Sequence, residues 1–184
     1  MSVLGVFGGS FDPPHAGHVL FVAYALAVAP IDRVLVVPTF RHPFGKAMAP
    51  FEDRVAMAEL AFAAMRDVSV SRIEEELGGD SYTIRTIEAL RLQMPDASLR
   101  LLIGADVLAE TPRWREFERI ASMAPPFVVG RSGADPIEDA PELPAISSTT
   151  VRARYTAGDS IDRLVPRAVD AYVRAHGLYG TRAP

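Results

Sequence analysis

Five short apolar runs, mostly continuous rather than alternating, limit what this chain can become: residues 3–7, 33–37, 68–70, 99–103 and 127–129. A strand with one wet face alternates apolar and polar side chains. Unbroken runs therefore demand a sheet covered on both faces, as in parallel strands joined by helices. The intervening stretches carry those helices. Val19, Leu20, Ala23, Leu26 and Ala27 fall at helical spacing and stop at Pro30; Phe51, Val55, Ala58, Phe62 and Met65 repeat the pattern; Ile84, Ile87, Leu90 and Met94 do so again before Pro95. A further helix is expected across residues 114–121, and another after the hydroxyl residues Ser147, Ser148 and Thr149. A last helix should run from Pro166 to His176, with Gly177 beyond its end. These signals predict an α/β fold: a five-stranded, mainly parallel sheet with helices on both faces and a C-terminal helical segment. The Pro-, Gly- and Asp-rich stretch that runs to Pro144 reads as the loop freest to move.

At 184 residues the chain fits one domain, 1–184, with a core over about 1–130 and a helical part over about 147–180. Nineteen basic against 23 acidic residues leave a net charge of −4, which excludes duplex nucleic acid held by bulk charge. A polyanion would need a local site. The chain has no cysteine, so disulfides, a thiolate nucleophile, iron–sulfur clusters and cysteine-based zinc sites are excluded. Residues 19–31 are apolar but shorter than the roughly 20 residues that span a bilayer, and no basic residue precedes them as in a secretory leader. The expectation is a cytoplasmic protein that does not engage membranes.

In an open α/β sheet, ligands bind beyond the carboxyl ends of the strands. The loop after the first run should lie there, and it holds Gly8 and Gly9, which let the backbone approach a ligand. Pro13 and Pro14 keep this loop extended until a helix starts near Ala16, aiming backbone N–H groups at an anion. His15 and His18 stand one turn apart with Gly17 between them, so both imidazoles can face one ligand. Blander readings exist for each feature. Paired histidines can ligate zinc, although no third ligand is placed by spacing. Gly8-Gly9 can simply end a strand, Ser147 and Ser148 can be helix caps, and Trp114 can be a packing residue. Asp106 can cap the helix behind it, and His176 suits a helix C-terminus.

The string Gly8-Gly9-Ser10-Phe11-Asp12-Pro13-Pro14-His15-Ala16-Gly17-His18 resembles the signature of the HxGH nucleotidyltransferase superfamily, and within it the bacterial nicotinate mononucleotide adenylyltransferases. Three further stretches match in order: Ser81-Tyr82-Thr83; Gly104-Ala105-Asp106 with Trp114 downstream; and residues 146–152, which end in Arg152. The resemblance implies a Rossmann-like domain that transfers AMP from ATP to nicotinate mononucleotide, releasing pyrophosphate, with Mg²⁺ carried on the ATP phosphates and no dedicated protein metal site. It makes His15, His18 and Arg152 the catalytic residues, the histidines donating to ATP phosphates and Arg152 holding pyrophosphate. On the ATP side it implies Gly8, Gly9, Ser10, Phe11 and Gly17, with Lys46 from the following loop. Gly104, Asp106, Ser147, Ser148 and Thr149 complete that set, Asp106 accepting from ribose hydroxyls. For the mononucleotide it implies Asp12, Thr83 and Trp114, with Trp114 stacking on the pyridine ring.

Residues 41–46, where His42 precedes a single proline, depart from the commoner family pattern, as do Arg85 and the short connection 134–145. These departures bear on substrate preference, so nicotinamide mononucleotide and pantetheine phosphate stay as alternative substrates. A silent ATP or NAD sensor is the non-enzymatic alternative, and a homo-oligomer is left open. Class I aminoacyl-tRNA synthetases share a related His-x-Gly-His element. A chain of 184 residues leaves no room for their further domains.

Overall fold

The computed structural model describes residues 2–130, 132 and 142–181. β1 (Ser2–Gly9), β2 (Arg33–Pro38), β3 (Val68–Val70), β4 (Ala97–Gly104) and β5 (Pro126–Val129) form one sheet in the order β3-β2-β1-β4-β5. Every pairing is parallel, so the sheet is wholly rather than mainly parallel. Phe7 lies opposite Val36 and Val6 opposite Leu101, so the apolar runs meet in register along the centre of the sheet.

Helices cover both faces. α1 (Ala16–Val28) and α2 (Phe51–Phe62) bury Phe21, Val22, Ala25, Ala58 and Phe62 against Val34 and Val36 on one side. α3 (Ile73–Leu77), α4 (Thr83–Gln93) and α6 (Phe117–Met123) bury Ile73, Ile84, Ile87, Leu90 and Ile120 against Leu4, Val6 and Leu101 on the other. Each such aliphatic side chain contributes about 1.5–3 kcal/mol. The C-terminal part, α7 (Ser148–Ala157) and α8 (Arg167–Ala175), forms a separate cluster that packs Val151, Tyr155, Val169 and Val173 with Met57 of α2.

The caps follow local chemistry. Ser147 Oγ accepts the Thr150 N–H (3.1 Å) at the start of α7. Pro166 precedes α8, and Gly177 follows it with φ +61°. Three local expectations need correction. The helix expected across 114–121 starts only at Phe117, because Trp114 is extended and closes a 3-10 turn at Thr111–Arg113. α3 and α5 (Ala105–Leu108) were not foreseen, since five and four residues are too few to show a helical stripe. Gly104, not Asp106, is the N-cap of α5. The connection 134–145 lies mostly outside the described residues, as do positions 131 and 133–141 of the loop read as freest to move.

Candidate active site

From β1 the chain steps outward to β2 and β3, then returns across the sheet to place β4 on the other flank of β1. The reversal leaves a crevice over the carboxyl ends of β1 and β4, the usual ligand position in such sheets. Two cavities open there. Gly8, Gly9, His15, Gly17, His18 and Asp106 line the first. Ser10, Lys46, Thr83 and Trp114 line the second, beside the buried Glu74 and Thr86. They share the walls Gly8, Gly9 and Gly104, so groups bound on either side would meet over the two strand ends. Ser10 and Lys46, expected with ATP, thus stand with the residues expected for the mononucleotide.

Glycines make this junction passable. A Cβ on Gly8 would enter open space, while one on Gly9 would sit 3.3 Å from the Phe11 ring. A Cβ on Gly104 would overlap the Asp106 carboxylate, so only glycine lets that group fold back over the strand end. A Cβ on Gly17 would come 3.0 Å from His15 Nδ1 and push the imidazole. Gly17→Ala is therefore expected to slow turnover without lowering the melting temperature, because alanine is about 1 kcal/mol the better helix former. Rate and melting temperature measured on one preparation check this. Unchanged turnover would mean that the orientation of His15 is unimportant.

The histidines are held by the turn that starts α1. His15 is buried and N-caps the helix, and its N–H donates to His18 Nδ1 (3.1 Å). With Nδ1 accepting, neutral His18 carries its ring proton on Nε2. The rings stack with centroids 3.7 Å apart and planes 23° from parallel. Phe7 and Phe11 pack at 6.0 and 5.0 Å from His18. Of the helix donors expected to face an anion, the Ala16 N–H is taken by the Leu164 carbonyl (2.8 Å).

Asp12, expected with the mononucleotide, is not brought to the cavity of Thr83 and Trp114. It is 1% exposed; its Oδ1 accepts from Ala49 N–H (3.1 Å) and Tyr179 O–H (2.8 Å). Its backbone carbonyl accepts from Arg152 Nη1 (2.6 Å). It ties three segments together and has no surface left for a ligand. Phe11 is equally buried, its ring against Phe7 and Phe62, so only its backbone could reach a substrate. Ser148 Oγ donates to the Pro13 carbonyl (2.9 Å), and Thr149 Oγ1 accepts from Arg152 Nη2 (3.3 Å). The helical part therefore clamps the loop 10–15 and presents Arg152 beside it.

Trp114 both packs and faces a cavity. It meets Phe117 edge-on at 6.1 Å and lines a further cavity with Thr83, His42 and Phe44. Burial, then Lys46, holds His42 below the ordinary histidine range.

Two residues of this region escaped the sequence reading. Arg54 is 1% exposed and donates to the Ala49 (2.9 Å), Ser10 (2.9 Å) and Phe40 (3.5 Å) carbonyls. Burial lowers its pKa, partly opposed by Asp12, Tyr179 and Glu74. Glu74 accepts from Phe40 N–H and Thr86 O–H (both 3.1 Å), with its carboxyl pushed up by burial. Position 54 falls beside Val55 on a helix that carries several charges, so nothing local marked it as internal.

Residues 6–154 match the cytidylyltransferase-like family model. The chain is 47% identical over 179 residues to the "Probable nicotinate-nucleotide adenylyltransferase" of Anaeromyxobacter sp. (strain K), covering 96% of each chain. A Thermus thermophilus protein of the same name is 41% identical over 185 residues, covering 96% of this chain and 98% of its own. The fold matches that of Plasmodium falciparum nicotinic acid mononucleotide adenylyltransferase complexed with NaAD, with a TM-score of 0.85 at 16% identity over 99% of both chains. With a family model over most of its length and full-length relatives well above 30% identity, the chain belongs to the nicotinate-nucleotide adenylyltransferase family of cytidylyltransferase-like proteins.

Proposed function

We infer that this protein is an adenylyltransferase that joins AMP from ATP to nicotinate mononucleotide, giving deamido-NAD and pyrophosphate. The observation that carries the reading is the junction of two cavities over Gly8, Gly9 and Gly104, one lined by His15 and His18, the other by Thr83 and Trp114. An in-line displacement needs that arrangement. The 5′-phosphate oxygen of the mononucleotide attacks the α-phosphorus of ATP, the α-phosphorus–oxygen bond to the β-phosphate breaks, and pyrophosphate leaves. Positioning and neutralisation of phosphate charge supply the catalysis, with no covalent enzyme intermediate.

In this reading His18 donates from Nε2 to an ATP phosphate, with His15 stacked behind it, and Arg152 receives the departing pyrophosphate. Asp106 serves the ribose, and Lys46 approaches the phosphates from the mononucleotide side. Mg²⁺ belongs to the ATP substrate, coordinated by phosphate oxygens and water. Among the described residues, no helix is long and apolar enough to cross a membrane. We place the reaction in the cytoplasm, in keeping with the cysteine-free sequence.

The decisive experiment measures pyrophosphate release from ATP and Mg²⁺ with nicotinate mononucleotide, nicotinamide mononucleotide or pantetheine phosphate. The nicotinate form is expected to give the highest kcat/KM. Preference for either other acceptor overturns the substrate assignment, and no release with any of the three favours a silent nucleotide sensor.

A further inference from the structure

Tyr179 sits at φ +54°, a region that non-glycine residues rarely adopt, between Gly177 at +61° and Gly180 at +80°. Such backbone persists only where surrounding contacts hold it. Here the contacts are specific. Thr156 Oγ1 donates to the Tyr179 carbonyl (3.2 Å), and the ring stacks on Tyr155 with centroids 5.9 Å apart. The phenol reaches 167 positions back along the chain to donate to Asp12 Oδ1 (2.8 Å).

That hydrogen bond falls on the same carboxylate that faces Arg152. Asp12 Oδ1 already takes the Ala49 N–H, so the phenol fills its second acceptor direction. Oδ2 stays 3.5 Å from Arg152 Nη1, which donates instead to the Asp12 main-chain carbonyl at 2.6 Å. The guanidinium is thus held by Nη1 on the backbone carbonyl and by a longer Nη2 contact to Thr149 Oγ1 (3.3 Å) rather than forked onto the carboxylate, so these contacts use two of its five N–H donors. An Arg–carboxylate fork would occupy the planar donor pair that a phosphate requires. Burial and Asp12 push the Tyr179 phenol well above its ordinary range, so it remains a donor throughout the neutral region.

We propose that Tyr179 is a positioning residue: by occupying Asp12 Oδ1 it keeps the Arg152 guanidinium open for the pyrophosphate half of the substrate. Without the phenol, the buried carboxylate turns toward Arg152 and closes the fork. The proposal deepens the adenylyltransferase reading and rests on it for the identity of the anion.

The test is Tyr179→Phe, which keeps the ring and removes only the O–H. Binding of magnesium pyrophosphate and of nicotinate mononucleotide is followed by calorimetry, alongside steady-state kinetics. Pyrophosphate affinity is expected to fall about 5- to 10-fold, the size of one lost hydrogen bond. KM for ATP should rise by a similar factor, with mononucleotide affinity unchanged. In an Arg152→Ala background, Tyr179→Phe should cause no further loss, since both act through one group. Equal loss of both ligands, full additivity with Arg152→Ala, unaltered pyrophosphate binding or a variant that does not fold each overturn the proposal. If the wild-type protein turns over no mononucleotide, the adenylyltransferase reading falls, while the pyrophosphate binding comparison still decides the role of Tyr179.

Discussion

His18→Ala is expected to lower the rate of pyrophosphate release about 10²- to 10³-fold, the usual cost of one preorganised donor to a developing oxyanion. The imidazole is fixed before substrate arrives. His15 N–H holds Nδ1, His15 stacks on one side, and Phe7 and Phe11 pack around the ring. Such a donor need not reorganise when charge develops on the phosphate. The fold should survive, because His18 is only partly buried and its bond to the His15 N–H is worth about 1 kcal/mol. Single-turnover rates and thermal unfolding on the same samples separate the two effects. Turnover within about threefold of wild type would remove His18 from the reaction, given the size of the donor effect.

Replacing Arg54 by methionine is expected to destabilise the protein by about 3 kcal/mol, lowering the melting temperature by roughly 10 °C. Methionine keeps most of the side-chain volume, so the loss is polar rather than steric. Three carbonyls, on Ala49, Ser10 and Phe40, lose a charged donor whose own side chain is almost wholly buried. Asp12 and Glu74 lose the cation that offsets them. Urea unfolding at neutral pH checks the figure, and a change below about 1 kcal/mol would mean that these carbonyls find other donors. Activity should fall as well, since all three carbonyls belong to or flank segments that line the second cavity, through Ser10, Thr39 and Lys46.

Much of this was legible in short stretches of sequence. The five strands, the long helices and their order follow from apolar periodicity and from Pro and Gly acting over a few residues. Proximity along a helix turn suffices to pair His15 with His18, and the cap at Ser147 needs only its own backbone. Trp114 shows the limit: a helical stripe through 114–121 reads as continuous, yet Pro112 and the 3-10 turn before it leave the indole at the cavity instead of inside a helix.

Asp12 marks the same limit from the other side. Within its motif it looked like a ligand residue, and only tertiary contacts make it a buried anchor, because its donors come from positions 49, 152 and 179. Arg54 likewise reads as one more surface charge on α2 until the loops at Ser10 and Phe40 close over it. By itself, the sequence determined the α/β layout, the strand–glycine–histidine loop and the family to which the chain belongs. The tertiary structure alone decided which polar residues turn inward to brace that loop and which line the two cavities. Secondary structure answers to interactions a few residues long, whereas the partner of a buried charge depends on where distant parts of the chain finally meet.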